Sequence, residues 1–196
     1  MADDQTLGVY AEKAQDYANL IFGDDADAGL EFIKDGLPRG AEILDLGCGP
    51  GHMSAHLRDA GYRVTASDAS AEMARVALET YGITVSVAGF AELNETARYD
   101  AILASFSLLH APKSDMPAHL AAIKRALRPG GRFVIGLKTG TGEKRDRLGR
   151  FYAYYTDAEL TGLLENAGFT VTDRRTGEGK GLDGSVAPWI VMRCNA

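Results

Sequence analysis

Residues 42–57 constrain this chain more than any other stretch. They read Glu42-Ile43-Leu44-Asp45-Leu46-Gly47-Cys48-Gly49-Pro50-Gly51-His52-Met53-Ser54-Ala55-His56-Leu57. Ile43, Leu44 and Leu46 form a short apolar run broken by Asp45, which suits a strand buried on both faces. Gly47, Gly49 and Gly51 then stand at alternate positions, where a missing Cβ lets the backbone turn sharply and a ligand come close. From His52 the pattern turns helical, with Met53 and Leu57 one turn apart. A strand, a glycine turn and a helix make the opening βα unit of a nucleotide-binding α/β fold.

The glycine spacing narrows the choice of nucleotide. A dinucleotide fingerprint wants glycine or alanine two positions after residue 50, where this chain has His52. Its third glycine comes one residue early. No Gly-Lys-Ser/Thr appears, so the turn is not a Walker loop. Asp45, just ahead of the turn, would repel a pyrophosphate and attract a ligand carrying a sulfonium and an ammonium.

The run from Glu42 to Gly51 resembles motif I of the class I S-adenosylmethionine (SAM)-dependent methyltransferases, a strand-Asp-GxGxG string. Two later stretches carry the same resemblance. Tyr99-Asp100-Ala101-Ile102 to Leu108-Leu109-His110 resembles motif IV, and Leu127-Arg128-Pro129-Gly130-Gly131 into Phe133-Val134-Ile135 resembles the family's LxPGG turn into strand five. The segment from about Tyr10 to Val191 can be laid on the family. It is similar to a bacterial group of uncharacterised small-molecule methyltransferases carrying SLLHAP and GRFYxYYT strings.

The resemblance implies an α/β fold: a seven-stranded, mostly parallel sheet in the order 3-2-1-4-5-7-6, strand 7 antiparallel, with helices on both faces. It implies one domain over 1–196, with an N-terminal helical cap at 1–38 and a Rossmann-like core at 39–196. It also implies SAM as cofactor and a small-molecule methyl acceptor.

Length and composition agree. The chain has 196 residues, enough for one domain with a core. A net charge of −6 makes no general case for nucleic acid. Cys48 and Cys194 lie too far apart in sequence for a zinc pattern or a disulfide framework, which fits a reducing cytoplasm. No apolar run approaches membrane-spanning length, and the start lacks a basic leader. The expectation is a cytoplasmic protein, monomer or homodimer, with no metal, no membrane and no nucleic-acid partner.

Candidate site residues follow from position. Residues 9–37 read as two amphipathic helices on the sheet edge. Tyr10, Ala14, Tyr17 and Ile21 share one face, and Leu30, Ile33 and Leu37 another. Tyr10 and Tyr17 are either core or ligand contacts. Asp45, Gly47, Cys48, Gly49 and Gly51 form the cofactor turn. Asp68, 21 residues after Gly47, ends strand two, where a carboxylate can accept both ribose hydroxyls; the alternative is a helix cap. Ala69 and Met73 adjoin it. After strand three, Gly89 stands where the family often has an acidic residue beside the adenine, leaving Phe90 and Ala91 as replacements. Ser105, Phe106 and His110 leave the end of strand four, where ligands collect in open α/β sheets. His110 is a base, an orienting donor or a structural histidine; the residues alone leave all three open.

Lys138 to Arg150 has five basic and two acidic side chains among glycines. It reads either as a lid that binds an anionic acceptor or as a solvated, mobile loop. Lys138, Arg145, Arg147, Arg150 and Tyr152 are the substrate-binding candidates. Thr156-Asp157-Ala158-Glu159 is a capping box. Residues 169–175 and 187–193 read as a final hairpin joined by a mobile glycine-rich connection, with Trp189 as core.

Two other functions compete with methyl transfer. One is a non-catalytic SAM-binding regulatory module. The other is a nicotinamide-dependent oxidoreductase, opposed by the early third glycine, Asp45 and the final hairpin.

Overall fold

A computed structural model describes residues 3–19 and 24–196. Three helices come first: α1 (Asp4–Glu12), α2 (Ala14–Ala18) and α3 (Asp24–Lys34). The core elements are β1 (Glu42–Leu46), α4 (His52–Asp59), β2 (Arg63–Asp68), α5 (Ala71–Tyr81), β3 (Val85–Val87), β4 (Tyr99–Ser105), α6 (Met116–Ala126) and β5 (Leu127–Lys138). A small hairpin, β6 (Glu143–Arg145) and β7 (Phe151–Ala153), leads to α7 (Asp157–Asn166), β8 (Thr170–Lys180) and β9 (Val186–Asn195).

Seven strands form one sheet in the order β3-β2-β1-β4-β5-β9-β8. The first five are parallel, and β9 runs antiparallel to both of its neighbours. This is the expected order, since β8 and β9 are the sheet's sixth and seventh strands.

Strict alternation builds two cores, because successive side chains of a strand point to opposite faces. Leu44, Leu46, Ile102, Ala104, Phe133, Ile135, Leu137, Ile190 and Met192 meet α6 and α7 on one face. Ile43, Ala101, Leu103, Val134, Trp189 and Val191 meet α3 and α4 on the other. The apolar stripe of α6 (Met116, Leu120, Ile123) is buried, and Pro117 falls within its first turn. Half of the capping box forms: the Thr156 hydroxyl accepts from the Glu159 N–H, while the Glu159 carboxylate takes the Lys113 ammonium instead.

The N-terminal reading needs correction. Helix begins at Asp4, not residue 9, because the Asp3 carboxylate caps it by accepting from the Thr6 N–H at 2.9 Å. Three helices are described rather than two. Only α3 packs on the sheet, and on its face rather than its edge. The Tyr10–Ala14–Tyr17 stripe lies against Met73 and Val76 of α5, while Ile21 lies outside the described residues.

Two segments read as mobile are ordered by pairing. Within 138–150, β6 pairs antiparallel with β7. Within 177–185, both hairpin strands run on, so that only residues 181–185 turn. Among the described residues, no helix is long and apolar enough to cross a membrane.

Candidate active site

The site lies at the C-terminal ends of β1, β2, β4 and β5. There the order reverses between β1 and β4, and the crossovers leave a crevice. A cavity of about 960 Å³ opens at this place. Three glycines of the first turn adopt the left-handed conformation, with φ of 75°, 53° and 81° at Gly47, Gly49 and Gly51. A Cβ at Gly47 would lie 2.3 Å from the Ser107 Cβ, so only glycine fits there. Gly51 faces away from the cavity, and its absent Cβ lets α4 approach Ala77 of α5.

Two carboxylates flank the turn, Asp45 buried and Asp68 half-buried. Asp45 is 2% exposed and accepts one hydrogen bond, from the Ser54 hydroxyl at 2.6 Å. Burial lifts its pKa to about 6, and nearby Asp68 adds to the rise. Asp68 accepts from the Gly49 N–H and the Ser70 N–H, each at 2.8 Å. Burial also raises its pKa, against these two bonds. Asp68 is not the cap of α5: Ser70 is, through the Met73 N–H. Two neighbouring carboxylates, one buried and one half-buried, with no cation paired to either among the described residues, make a site that a positive ligand would relieve.

The remaining expected residues mostly converge. Tyr10, Tyr17, Cys48, Ala69, Met73, Phe90, Ala91, Ser105, Phe106 and His110 all line the cavity. Phe106 has φ of 54°, unusual for a side-chain-bearing residue, and its ring covers Gly136, where a Cβ would come within 3.0 Å. Glu92 was not anticipated. A 3-10 turn at Phe90–Glu92 folds its carboxylate back onto the Gly89 N–H at 2.7 Å, so an acidic group does reach this corner, three residues late. Gly89 followed by Glu92 was the available signal.

On the opposite wall, Lys138, Arg150 and Tyr152 line the cavity, but Arg145 and Arg147 do not. Arg145 makes a bidentate pair with Asp3 at 2.8 Å per bond, and Arg147 donates to the Asp183 carbonyl at 2.9 Å. Their assignment to the substrate site is corrected on that ground. Arg150 is 1% exposed and holds Asp146 through Nε and Nη2, at 2.9 and 2.7 Å. Its Nη1 donates to the Tyr10 hydroxyl at 3.0 Å, and the Tyr10 hydroxyl meets His110 Nε2 at 2.8 Å. His110 Nδ1 lies 2.7 Å from the Phe151 carbonyl. Trp189 is core, as expected, and also lines the cavity, together with residues 179–182 of the last hairpin. Neither was read as part of the site, because only β9 pairing places them there.

Residues 17–174 match the family described as a methyltransferase domain. The chain is 37% identical, over 62% of its length, to a malonyl-[acyl-carrier protein] O-methyltransferase of Pseudescherichia vulneris. It is 31% identical, over 74% of its length, to a ubiquinone biosynthesis O-methyltransferase of Xanthomonas axonopodis pv. citri. The chain spans 49% of the first relative's length and 69% of the second's. Among solved structures, it is similar to the Burkholderia thailandensis 1,6-didemethyltoxoflavin-N1-methyltransferase with bound 1,6-didemethyltoxoflavin and S-adenosylhomocysteine. That likeness has a TM-score of 0.80 and 26% identity, and covers 98% of this chain and 87% of that one.

Proposed function

The chain belongs to the methyltransferase-domain family, and from that premise we propose that it transfers a methyl group from SAM to an oxygen of a small acceptor with an anionic or aromatic character. Oxygen is chosen because two curated relatives are O-methyltransferases by name.

The observation that carries the reading is the pair of carboxylates, Asp45 buried and Asp68 half-buried, around a turn that only glycine can make. A cation suits that environment and a pyrophosphate does not. In this reading SAM lies across Asp45–Gly49. Asp68 accepts from its ribose, Phe90, Ala91 and Met73 enclose its adenine, and Asp45 faces its charged methionine end. Gly51 acts behind the turn, as packing.

Bound SAM supplies a methyl on a sulfonium, already an excellent leaving group. The protein's task is therefore alignment and exclusion of water. Ser105 ends β4 and Phe106 follows it at the cavity wall, and the rings of Tyr10 and Tyr17, 5.6 Å apart, close the cavity from the N-terminal helices.

Asp68→Ala should weaken SAM binding more than tenfold, on the roughly 1–3 kcal/mol scale of hydrogen bonds to charged groups. Calorimetry that finds no loss would remove the ribose assignment. Incubation with radiolabelled SAM and cell extract would separate transfer from binding alone.

A further inference from the structure

We propose that the acceptor enters as a preformed oxyanion held by the Lys138 ammonium, and that His110 positions Tyr10 rather than serving as a base. The proposal rests on the SAM-dependent reading above.

His110 has no nitrogen to spare. A carbonyl oxygen only accepts, so the bond to Phe151 puts the ring proton on Nδ1. Nε2 then carries the lone pair, and the Tyr10 hydroxyl donates to it. Arg150 Nη1 donates in turn to the Tyr10 oxygen. The rings of Tyr10 and Tyr152 pack edge-on against the imidazole, with centroids 5.3 and 4.7 Å away. A proton on Nε2 would force the Tyr10 bond to reverse, leaving the hydroxyl proton to find another acceptor, and would place another cation near Arg150 and Lys138. Burial, reinforced by those two cations, pushes the His110 pKa down to about 4. A group so placed is a poor proton store.

The cations of this wall are unequal, and Lys180, which also lines the cavity, is exposed where Lys138 is half-buried. Arg145 is spent on Asp3, Arg150 on Asp146, and Arg147 lies outside the cavity. Lys144 sits over the Tyr154 ring, also outside it. Lys138 lines the cavity, and among the described residues it makes no hydrogen bond or ion pair. Its ammonium rests 4.4 Å above the Tyr152 ring. The carboxylates that act on it electrostatically, Asp183 and Asp146, are engaged elsewhere: Asp183 with the Ser185 N–H and hydroxyl, Asp146 with Arg150. Gly181 lets the last hairpin's turn close over it, since a Cβ there would lie 3.3 Å from Nζ. A half-buried ammonium without an anion is a binding site for one. Trp189 and Tyr152 offer flat apolar walls beside it.

The class of acceptor is therefore a small acid already ionised at neutral pH: a carboxylate, or an acidic phenol or enol. An electron pair of its oxygen forms the O–CH3 bond while the sulfonium C–S bond breaks. That bond's pair returns to sulfur, and no proton moves. The products are a neutral methyl ester or ether and a neutral thioether.

Trp189 is the only tryptophan, so its emission reports on this cavity alone. Protein saturated with S-adenosylhomocysteine would be titrated with benzoate and with the neutral benzamide. Benzoate should bind more than about tenfold more tightly. Lys138→Gln should erase that difference while the S-adenosylhomocysteine affinity, measured by calorimetry, stays unchanged. Nitrogen-15 spectra of the histidines, assigned through His110→Gln, should show a neutral Nδ1–H tautomer between about pH 5.5 and 8. Equal binding of the two probes, binding of neither, or a His110 that protonates within that range would overturn the proposal. Failure of S-adenosylhomocysteine to bind the unaltered protein would remove the cofactor reading itself, and this proposal with it.

Discussion

Asp45 shows what one buried carboxylate does to a binding site. Its folded pKa of about 6 lies above the ordinary aspartate value near 4, so the ligand-free fold disfavours the charged form. Stability from this group is complete below the unfolded pKa and falls as pH rises toward 6. A cationic ligand favours the charged form. SAM should therefore bind more tightly as pH rises through this window, and binding near pH 6 should release a proton. Calorimetry in buffers of different ionisation enthalpy would read the proton directly, and Asp45→Asn should flatten the profile. At Gly47, substitution by alanine meets both a left-handed backbone and the Ser107 side chain. It should abolish SAM binding, and tight binding by Gly47→Ala would contradict the described turn. The alternate glycines and Asp45 were legible because they need no distant partner. Glu92 and the left-handed backbone of Phe106 were not, since each depends on how a short turn folds back.

The elements from β6 to β7 differ most from the sequence reading. Glycines and mixed charge in 138–150 read as a loop, but pairing with the aromatic run Phe151–Ala153 makes a hairpin. No local periodicity announces a partner strand of three residues. The same reason hides the length of β8, where Gly177 is required because a Cβ would sit 2.4 Å from the Trp189 ring. The hairpin is held by two ion pairs of unequal worth. Arg150 and Asp146 are buried together, so Arg150→Ala leaves a carboxylate uncompensated and should cost about 3–5 kcal/mol. Arg145 and Asp3 are partly exposed, and Arg145→Ala should cost no more than about 1 kcal/mol. Denaturant unfolding of both variants would test the ranking; equal losses would contradict it.

For the whole molecule, the apolar run of β1 foretold a strand covered on both faces, and the motif strings placed β1, β4 and β5 in one sheet. Strand order came with the family resemblance, because connections between parallel strands leave little mark in sequence. The N-terminal helices were legible as helices, and the family resemblance offered them as a cap, but their own residues left core and ligand contact open. Their stripe resembles any core stripe, and only contact with α5 places it over the cavity. Among the described residues of α1 and α2, Thr6 and Ala14 alone are buried, which puts these two helices at the low end of local stability. Their amides should exchange faster than those of β1 and β4, and S-adenosylhomocysteine should slow them. Hydrogen exchange read by mass spectrometry would show it, and no change on binding would argue against closure by these helices.

Helix α1 is stitched to the β6–β7 hairpin by Arg145 on Asp3, by the Phe151 N–H on the Thr6 hydroxyl and by the Tyr10–Arg150 bond, across more than a hundred residues of chain. Neither jaw of that clasp has a shape of its own to bequeath. Anyone transplanting acceptor preference between related enzymes would have to move both segments together, because either one grafted alone would arrive without the surface it closes on.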